Sequence, residues 1–171
     1  MVPMRKKERA MNRKEALEAV KECSFGVLSM VNIRSEHPLG VGAPYAIPLN
    51  IVLCGEIVYF HCAREGHKLD NLRADPRVIL SCTSYEKVIS EKLTTVYDTA
   101  LVFGNAREVT DEKERRIAID ELVRKYAPAE LGRMDDIMEK SGHIMGIWAI
   151  DIVDVSGKRR QMPGSQEAQS V

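Results

Sequence analysis

Apolar positions along the chain switch between helical and strand periods, and that switching divides it into elements. Asn12 and Glu15 have the form of a capping box, and Ala16, Val20 and Cys23 then recur at helical spacing, which predicts a helix over residues 13–23. Residues 25–31 read as a strand, and residues 35–42 carry Pro38, Gly40 and Gly42 as a loop does. Further strands follow at 45–53 and 57–62, joined as a hairpin by Cys54, Gly55 and Glu56. A short helix opens at Gly66, turns Leu69 and Leu72 inward, and stops at Asp75 because the residue before Pro76 is pushed out of the helical region.

Residues 78–83 read as another strand, and the polar residues 84–92 as a loop. Residues 94–109 form a long β-rich run interrupted by Gly104, where a bulge lets one strand serve two parts of a curved sheet. Thr110 is placed to cap a strong helix with Asp111 and Glu112 in its first turn and Ile119, Leu122, Val123 and Tyr126 as its buried stripe. Met134, Ile137 and Met138 mark a further amphipathic helix, and residues 144–155 a nearly continuous apolar strand that closes at Ser156, Gly157 and Lys158. Residues 159–171 lack apolar periodicity and are expected to be a disordered tail, leaving 1–158 as a single domain. About six strands, too closely spaced for repeated βαβ units, predict a mainly β, α+β class: an antiparallel barrel with peripheral helices.

Composition narrows the partners. A length of 171 residues suits one domain, and 25 Lys+Arg against 25 Asp+Glu offers no bulk attraction to nucleic acid. The basic cluster at Arg5, Lys6, Lys7 and Arg9 is followed by polar residues and reads as a solvated arm. Cys23, Cys54, Cys62 and Cys82 show no C-x-x-C spacing, and no signal-peptide core or bilayer-length apolar run accompanies them. Reduced thiols in a cytoplasmic protein with no membrane partner are expected.

Candidate chemistry concentrates in residues 57–76. Gly66 lets the backbone turn sharply, and His67 and Lys68 then head a helix whose N-terminus carries unpaired N–H groups and partial positive charge. The stretch is either an anion site or an ordinary turn with an exposed lysine; Asn71, one turn on, either donates to the same ligand or faces water. His61 is equally a cofactor contact or a histidine satisfied by a hydrogen bond, and it points to the opposite face from Cys62. His61, Cys62 and His67 supply no recognised ligand set, so no metal is expected. Thr94, Tyr97 and Thr99 offer hydroxyl donors to a phosphate or ribityl chain, or are routine strand residues. Trp148 is a core residue or a stacking platform, and Met134, Met138 and Met145 read as core filler. No G-x-S-x-G, Walker-type loop or G-x-G-x-x-G occurs.

Several spaced motifs together carry a resemblance. Phe25-Gly26-Val27-Leu28-Ser29, Pro44-Tyr45 with Ile47-Pro48-Leu49-Asn50, and Ile57-Val58-Tyr59-Phe60-His61-Cys62-Ala63 with Gly66-His67-Lys68-Leu69-Asp70-Asn71 stand in that order. Val102-Phe103-Gly104-Asn105-Ala106 and Ser156-Gly157-Lys158 follow. Over residues 10–158 the chain resembles the pyridoxamine 5′-phosphate oxidase-like flavoproteins, and within them the 5-nitroimidazole resistance branch. The resemblance implies a six-stranded antiparallel split β-barrel, a homodimer, and FMN in a cleft between subunits. Carried over by position, Pro48, Leu49 and Asn50 would run along the flavin, and His61, Cys62 and Ala63 would lie beside its ring and ribityl chain. His67 and Lys68 would hold the phosphate, Tyr97 and Thr99 match a strand that comes near the cofactor, and His61 matches the histidine near the flavin ring and is the candidate catalytic residue. Asn71 and Trp148 join the candidate cofactor contacts on their own residue types. The paired Arg and Lys that pyridoxamine phosphate oxidases carry on the second strand are absent between Ala46 and Asn50, which argues against that oxidase activity.

The function expected is that of an FMN-dependent oxidoreductase in which reduced nicotinamide loads the flavin and a small electrophilic acceptor of nitroaromatic type is reduced. The alternatives are a flavin carrier or sensor without turnover, action on another small molecule, and haem in place of flavin.

Overall fold

The computed structural model describes residues 4–142 and 144–162. Among them run β1 (Ala10–Met11), α1 (Arg13–Glu22), β2 (Gly26–Val31), β3 (Pro44–Leu49), β4 (Val52–Cys54), β5 (Ile57–Ala63) and α2 (His67–Ala74). After these come β6 (Arg77–Ile89), β7 (Thr94–Glu108), α3 (Glu112–Tyr126), α4 (Met134–Ser141) and β8 (Met145–Arg160). The strands form one antiparallel sheet in the order β3-β2-β6-β7-β8-β5-β4, with β1 paired to β8. Among the described residues, no helix is long and apolar enough to cross a membrane.

Local signals and observed elements agree at both ends of several segments. Asn12 Oδ1 accepts from Glu15 N at 3.0 Å while Glu15 accepts from Asn12 N at 2.8 Å, so the capping box is complete. The cap of α3 is Asp111, which accepts from Glu114 N at 2.8 Å, one residue beyond the expected Thr110. The β7 register shifts between Phe103 and Gly104, as the interruption predicts. A Cβ on Gly104 would lie 2.5 Å from the carbonyl oxygen of Asp151, so the close crossing of β7 and β8 excludes a side chain there.

The sheet has eight strands where six are expected. One extra strand is the two-residue β1. The other arises because the run at 45–53 breaks at Asn50 and Ile51, sending β3 to one edge of the sheet and β4 to the other. The chain itself thereby joins the two edges and closes the barrel. Backbone groups at the break leave the strand ladder and must be satisfied elsewhere. Ile51 N donates to the Tyr126 hydroxyl at 3.0 Å, and Ile51 O accepts from Lys125 Nζ at 3.0 Å and from the Tyr126 hydroxyl at 2.7 Å. The C-terminal end of α3 thus clamps the closure.

Two polar stretches are also strand rather than loop or tail. β6 continues through the expected loop at 84–92 as far as Ile89, paired with β7 from Thr83↔Thr99 to Ile89↔Thr94. Most side chains of this ribbon are exposed, so its composition resembles a loop although its backbone is laddered. Arg159 and Arg160, assigned to the tail, complete β8 opposite Asp98 and Tyr97. Arg159 Nε lies 2.9 Å from both Asp98 carboxylate oxygens, and its Nη1 3.1 Å from Glu15. Residues 163–171 of the expected tail lie outside the described residues.

Alternation on β5 and β8 separates two apolar layers among the described residues. Val58, Phe60, Trp148 and Ile150 point into the barrel with Leu28, Leu80 and Val102, and α1 and α2 add Val20, Leu69 and Leu72. Tyr59, Ile147 and Ala149 point the other way, beneath Ile119 and Leu122 of α3 and Met134 of α4. The helical layer is what places a roof over the outer face of β5.

Candidate functional site

Three neighbouring features meet at the end of β5: its last residues, the α2 N-terminus and the Asn50–Ile51 break. Gly66 is the N-cap of α2, with φ +128° and no side-chain cap, a backbone conformation that glycine alone adopts readily. Leu69 N already donates to Gly66 O at 2.8 Å, so the N–H groups of His67 and Lys68 head the turn, and the N-cap residue offers them no side chain. Lys68 is half-buried, its Nζ lies 5.5 Å from the centroid of the buried Phe60 ring, and burial lowers its pKa. Among the described residues no carboxylate pairs with it. A cation held from water at a positive helix end, without an acid, is the donor set a phosphate fits.

His67 has another task. Its Nε2 lies 2.6 Å from Asn32 Oδ1, and its ring packs on Tyr45 with centroids 4.4 Å apart. Asn32 Nδ2 donates to the carbonyls of Arg34 and Gly40, both at 2.7 Å, so Oδ1 is the acceptor and His67 Nε2 the donor. The His67 side chain fastens the β2–β3 loop, leaving its backbone N–H as the group at the helix end. Asn71 serves the same loop: it is fully buried and its Oδ1 accepts from Ile33 N at 3.0 Å. It does not face water, and the salt bridge of Arg34 to Asp70 adds a third tie.

His61 and Cys62 do point apart. Cys62 packs against the barrel layer and burial raises its thiol pKa, whereas exposed His61 opens on a cleft under α3 and α4. Desolvation by the surrounding protein lowers the His61 pKa, and the Lys68 charge lowers it further, so the ring is neutral around pH 7. The cleft, of about 240 Å³, has Asn50 and His61 at one side and Ile119, Leu122, Val123 and Ile137 among its apolar walls. Met134 and Met145, expected as core filler, line it as well. The helical spacing of the α3 stripe was legible, but nothing in that spacing says that His61 lies across from it.

Pro48 and Leu49 lie on the edge strand β3, paired on one side only, with Asn50 at the break beyond it. Ala63 ends β5 opposite Met145. Tyr97 and Thr99 are not in this group. Tyr97 pairs with Arg160 on β8 and His61 with Ile147, thirteen residues apart along that strand (160 − 147), or roughly 40 Å at ordinary strand rise. Thr99 donates to Lys158 O at 3.3 Å, and Lys158 Nζ lies 5.7 Å from the Tyr97 ring. Trp148 takes the core alternative: it is 2% exposed and packed inside the barrel among the described residues, not presented as a stacking platform. Among the described residues, no three His, Cys, Asp or Glu side chains gather as metal ligands would.

Comparison with known proteins gives the same architecture independently. A family profile described as pyridoxamine 5′-phosphate oxidase matches residues 12–159. No curated protein matches the chain. A structure described as a candidate 5-nitroimidazole antibiotic resistance protein from Bacteroides thetaiotaomicron superposes with TM-score 0.67 at 17% identity, covering 87% of this chain and 85% of that one. A FAD and haem binding protein from Mycobacterium smegmatis gives 0.71 at 18% identity over 91% and 75% of the two chains. A FAD binding protein from the same organism gives 0.62 at 14% identity over 90% and 98%. At these identities the superpositions establish the split-barrel fold, while the profile extends over nearly the whole sheet. On that match, the chain belongs to the pyridoxamine 5′-phosphate oxidase-like family.

Proposed function

We propose that the protein is a homodimeric FMN-binding oxidoreductase that passes electrons to small electrophilic acceptors of nitroaromatic type. The observation that carries this is Lys68: half-buried, without a carboxylate partner among the described residues, beside an α2 N-terminus that Gly66 leaves uncapped. Lys68 Nζ and the N–H groups of the first turn would hold the terminal phosphate of FMN, and the one-sided edge at Pro48, Leu49 and Asn50 would offer backbone groups along the ring. Flavin supplies the two-electron chemistry when bound, with reduced nicotinamide as the electron source. His61, neutral and open to the cleft, donates a hydrogen bond to the acceptor through one ring nitrogen and relays a proton taken from solvent at the other. Family membership and the flavin named for two similar structures support the cofactor class.

Two further observations support the homodimer. Val27, Val31, Ile79, Leu101 and Val153 are exposed together on the outer sheet face, a patch whose burial against a second copy would be favourable. Tyr97 and Thr99, distant from Lys68 in their own chain, would reach a flavin only from the other subunit. The visible spectrum of the purified protein, with the mass of the cofactor released by heat, tests the reading. Flavin bands with the mass of FMN support it; a Soret band supports haem, which one similar structure is named for binding. Reduced-nicotinamide oxidation that rises with added nitroaromatic separates turnover from a carrier or sensor.

A further inference from the structure

We infer that α3 and α4 are the specificity-determining wall of the site, and that the cleft they form with β5 admits uncharged single-ring compounds whatever reducible group they carry. The inference rests on the flavin reading only for calling such compounds acceptors; the cleft itself stands on its lining. About 240 Å³ is open there. A dry cavity of about 150 Å³ accommodates benzene, and drug-sized ligands take from roughly 300 Å³ upward, so this volume matches one substituted ring.

The walls decide the charge. Ile119, Leu122 and Val123 on α3, Ile137 on α4, and Met134 and Met145 leave no Asp, Glu, Lys or Arg among the described lining residues. A carboxylate or ammonium entering would lose hydration and meet no opposite charge among the described lining residues. Tyr126 also lines the cleft, but its hydroxyl is committed to the backbone of Ser24 and Ile51, both at 2.7 Å, so its contribution is an aromatic ring. Methionine thioethers and a tyrosine ring favour an aromatic guest, and flexible Met134 adapts to its substituents. The polar groups left for orientation are His61 and Asn50, the second already donating to Ser24 O at 3.4 Å. His61 at the β5 end would therefore hold the reducible group, while the helices read only size and neutrality.

The test uses the full chain labelled with carbon-13 at the methionine methyls, titrated separately with acetophenone and with benzoate, a charged compound of similar size. Acetophenone is expected to shift the Met134 and Met145 signals, with benzoate binding at least about tenfold more weakly. Ile137→Trp and, independently, Val123→Phe are expected to weaken acetophenone about tenfold or more by filling the cleft, with FMN affinity unchanged. Equal binding of benzoate, silence of both methionine signals, or wild-type acetophenone affinity in both variants would overturn the inference. An FMN titration on the same wild-type sample reports on the flavin reading by itself. Its failure alongside acetophenone shifts would remove the cofactor and leave the cleft.

Discussion

Replacing Lys68 by Ala separates a phosphate clamp from a surface lysine, because binding and stability are expected to move in different directions. An exposed ion pair contributes about 0–1 kcal/mol, at most a factor of about five in affinity. Lys68 is half-buried over Phe60, so its contact with a phosphate would be shielded from water on one side. The range for a hydrogen bond to a charged group, about 1.5–3 kcal/mol, then applies, and FMN should bind about 10–150-fold more weakly to the variant. Without cofactor the same side chain is a burden, since desolvation penalises the charged ammonium and lowers its pKa from 10.5. The unfolded chain holds the proton more tightly than the folded one, so stability rises as pH climbs through the lowered folded value toward 10.5. Lys68→Ala should abolish that rise and leave the cofactor-free melting temperature at neutral pH unchanged or higher. Flavin-fluorescence titration and thermal melts with and without FMN measure the two effects. A variant that binds FMN within threefold of wild type (about 0.7 kcal/mol), or whose cofactor-free form melts several degrees lower, would refute the assignment.

Three other substitutions probe the scaffold and the cleft. His61→Gln should lower acceptor turnover about a hundredfold while FMN titration stays at the wild-type value; wild-type kcat would remove His61 from the chemistry. The lowered His61 pKa also makes the folded protein resist protonation, so its contribution to stability is intact above 6.5 and is lost as pH falls toward the folded value. Melting curves across that window should flatten in the Gln variant. Tyr126→Phe removes the acceptor of the buried Ile51 N–H and a donor to Ile51 O, at a cost of about 1–3 kcal/mol and roughly 2–4 °C in Tm per kcal/mol. Gly104→Ala drives a methyl to within 2.5 Å of Asp151 O and 2.6 Å of Ile150 Cγ2, so denaturant unfolding should show a loss of about 1–3 kcal/mol.

How much of the molecule could be read from residue order follows from the range of the signals. The capping box at Asn12, the proline stop at Pro76 and the interruption at Gly104 act over a few residues, and each lies where the sequence places it. Strand alternation on β5 likewise predicts that His61 and Cys62 part company. What the pattern hides is pairing. Residues 84–89 look like loop because their side chains face water, yet a backbone ladder with β7 needs no apolar residue to form. The break at Asn50 and Ile51 is hidden for the opposite reason. Ile51 is fully buried and looks like strand, although its backbone is satisfied by Lys125 and Tyr126, some 75 residues away (126 − 51).

That break also explains why the candidate site lies where it does. A chain that leaves one sheet edge and joins the other must cross a gap in the ladder, and Asn50 stands at the crossing. The same α3 residues that satisfy the crossing, with Tyr126 foremost, bring the helix over the outer face of β5 and so create the cleft in front of His61. Barrel closure, helix placement and access to His61 are therefore one structural solution. Gly66 completes it on the other side, because its positive φ starts α2 abruptly enough to leave the first turn open next to Lys68. Residue types alone mark Gly66 and Lys68 as an anion site or an ordinary turn. The half-buried state of Lys68, which has no carboxylate partner among the described residues, favours the first, since a lysine with no ligand to meet would gain by extending into water.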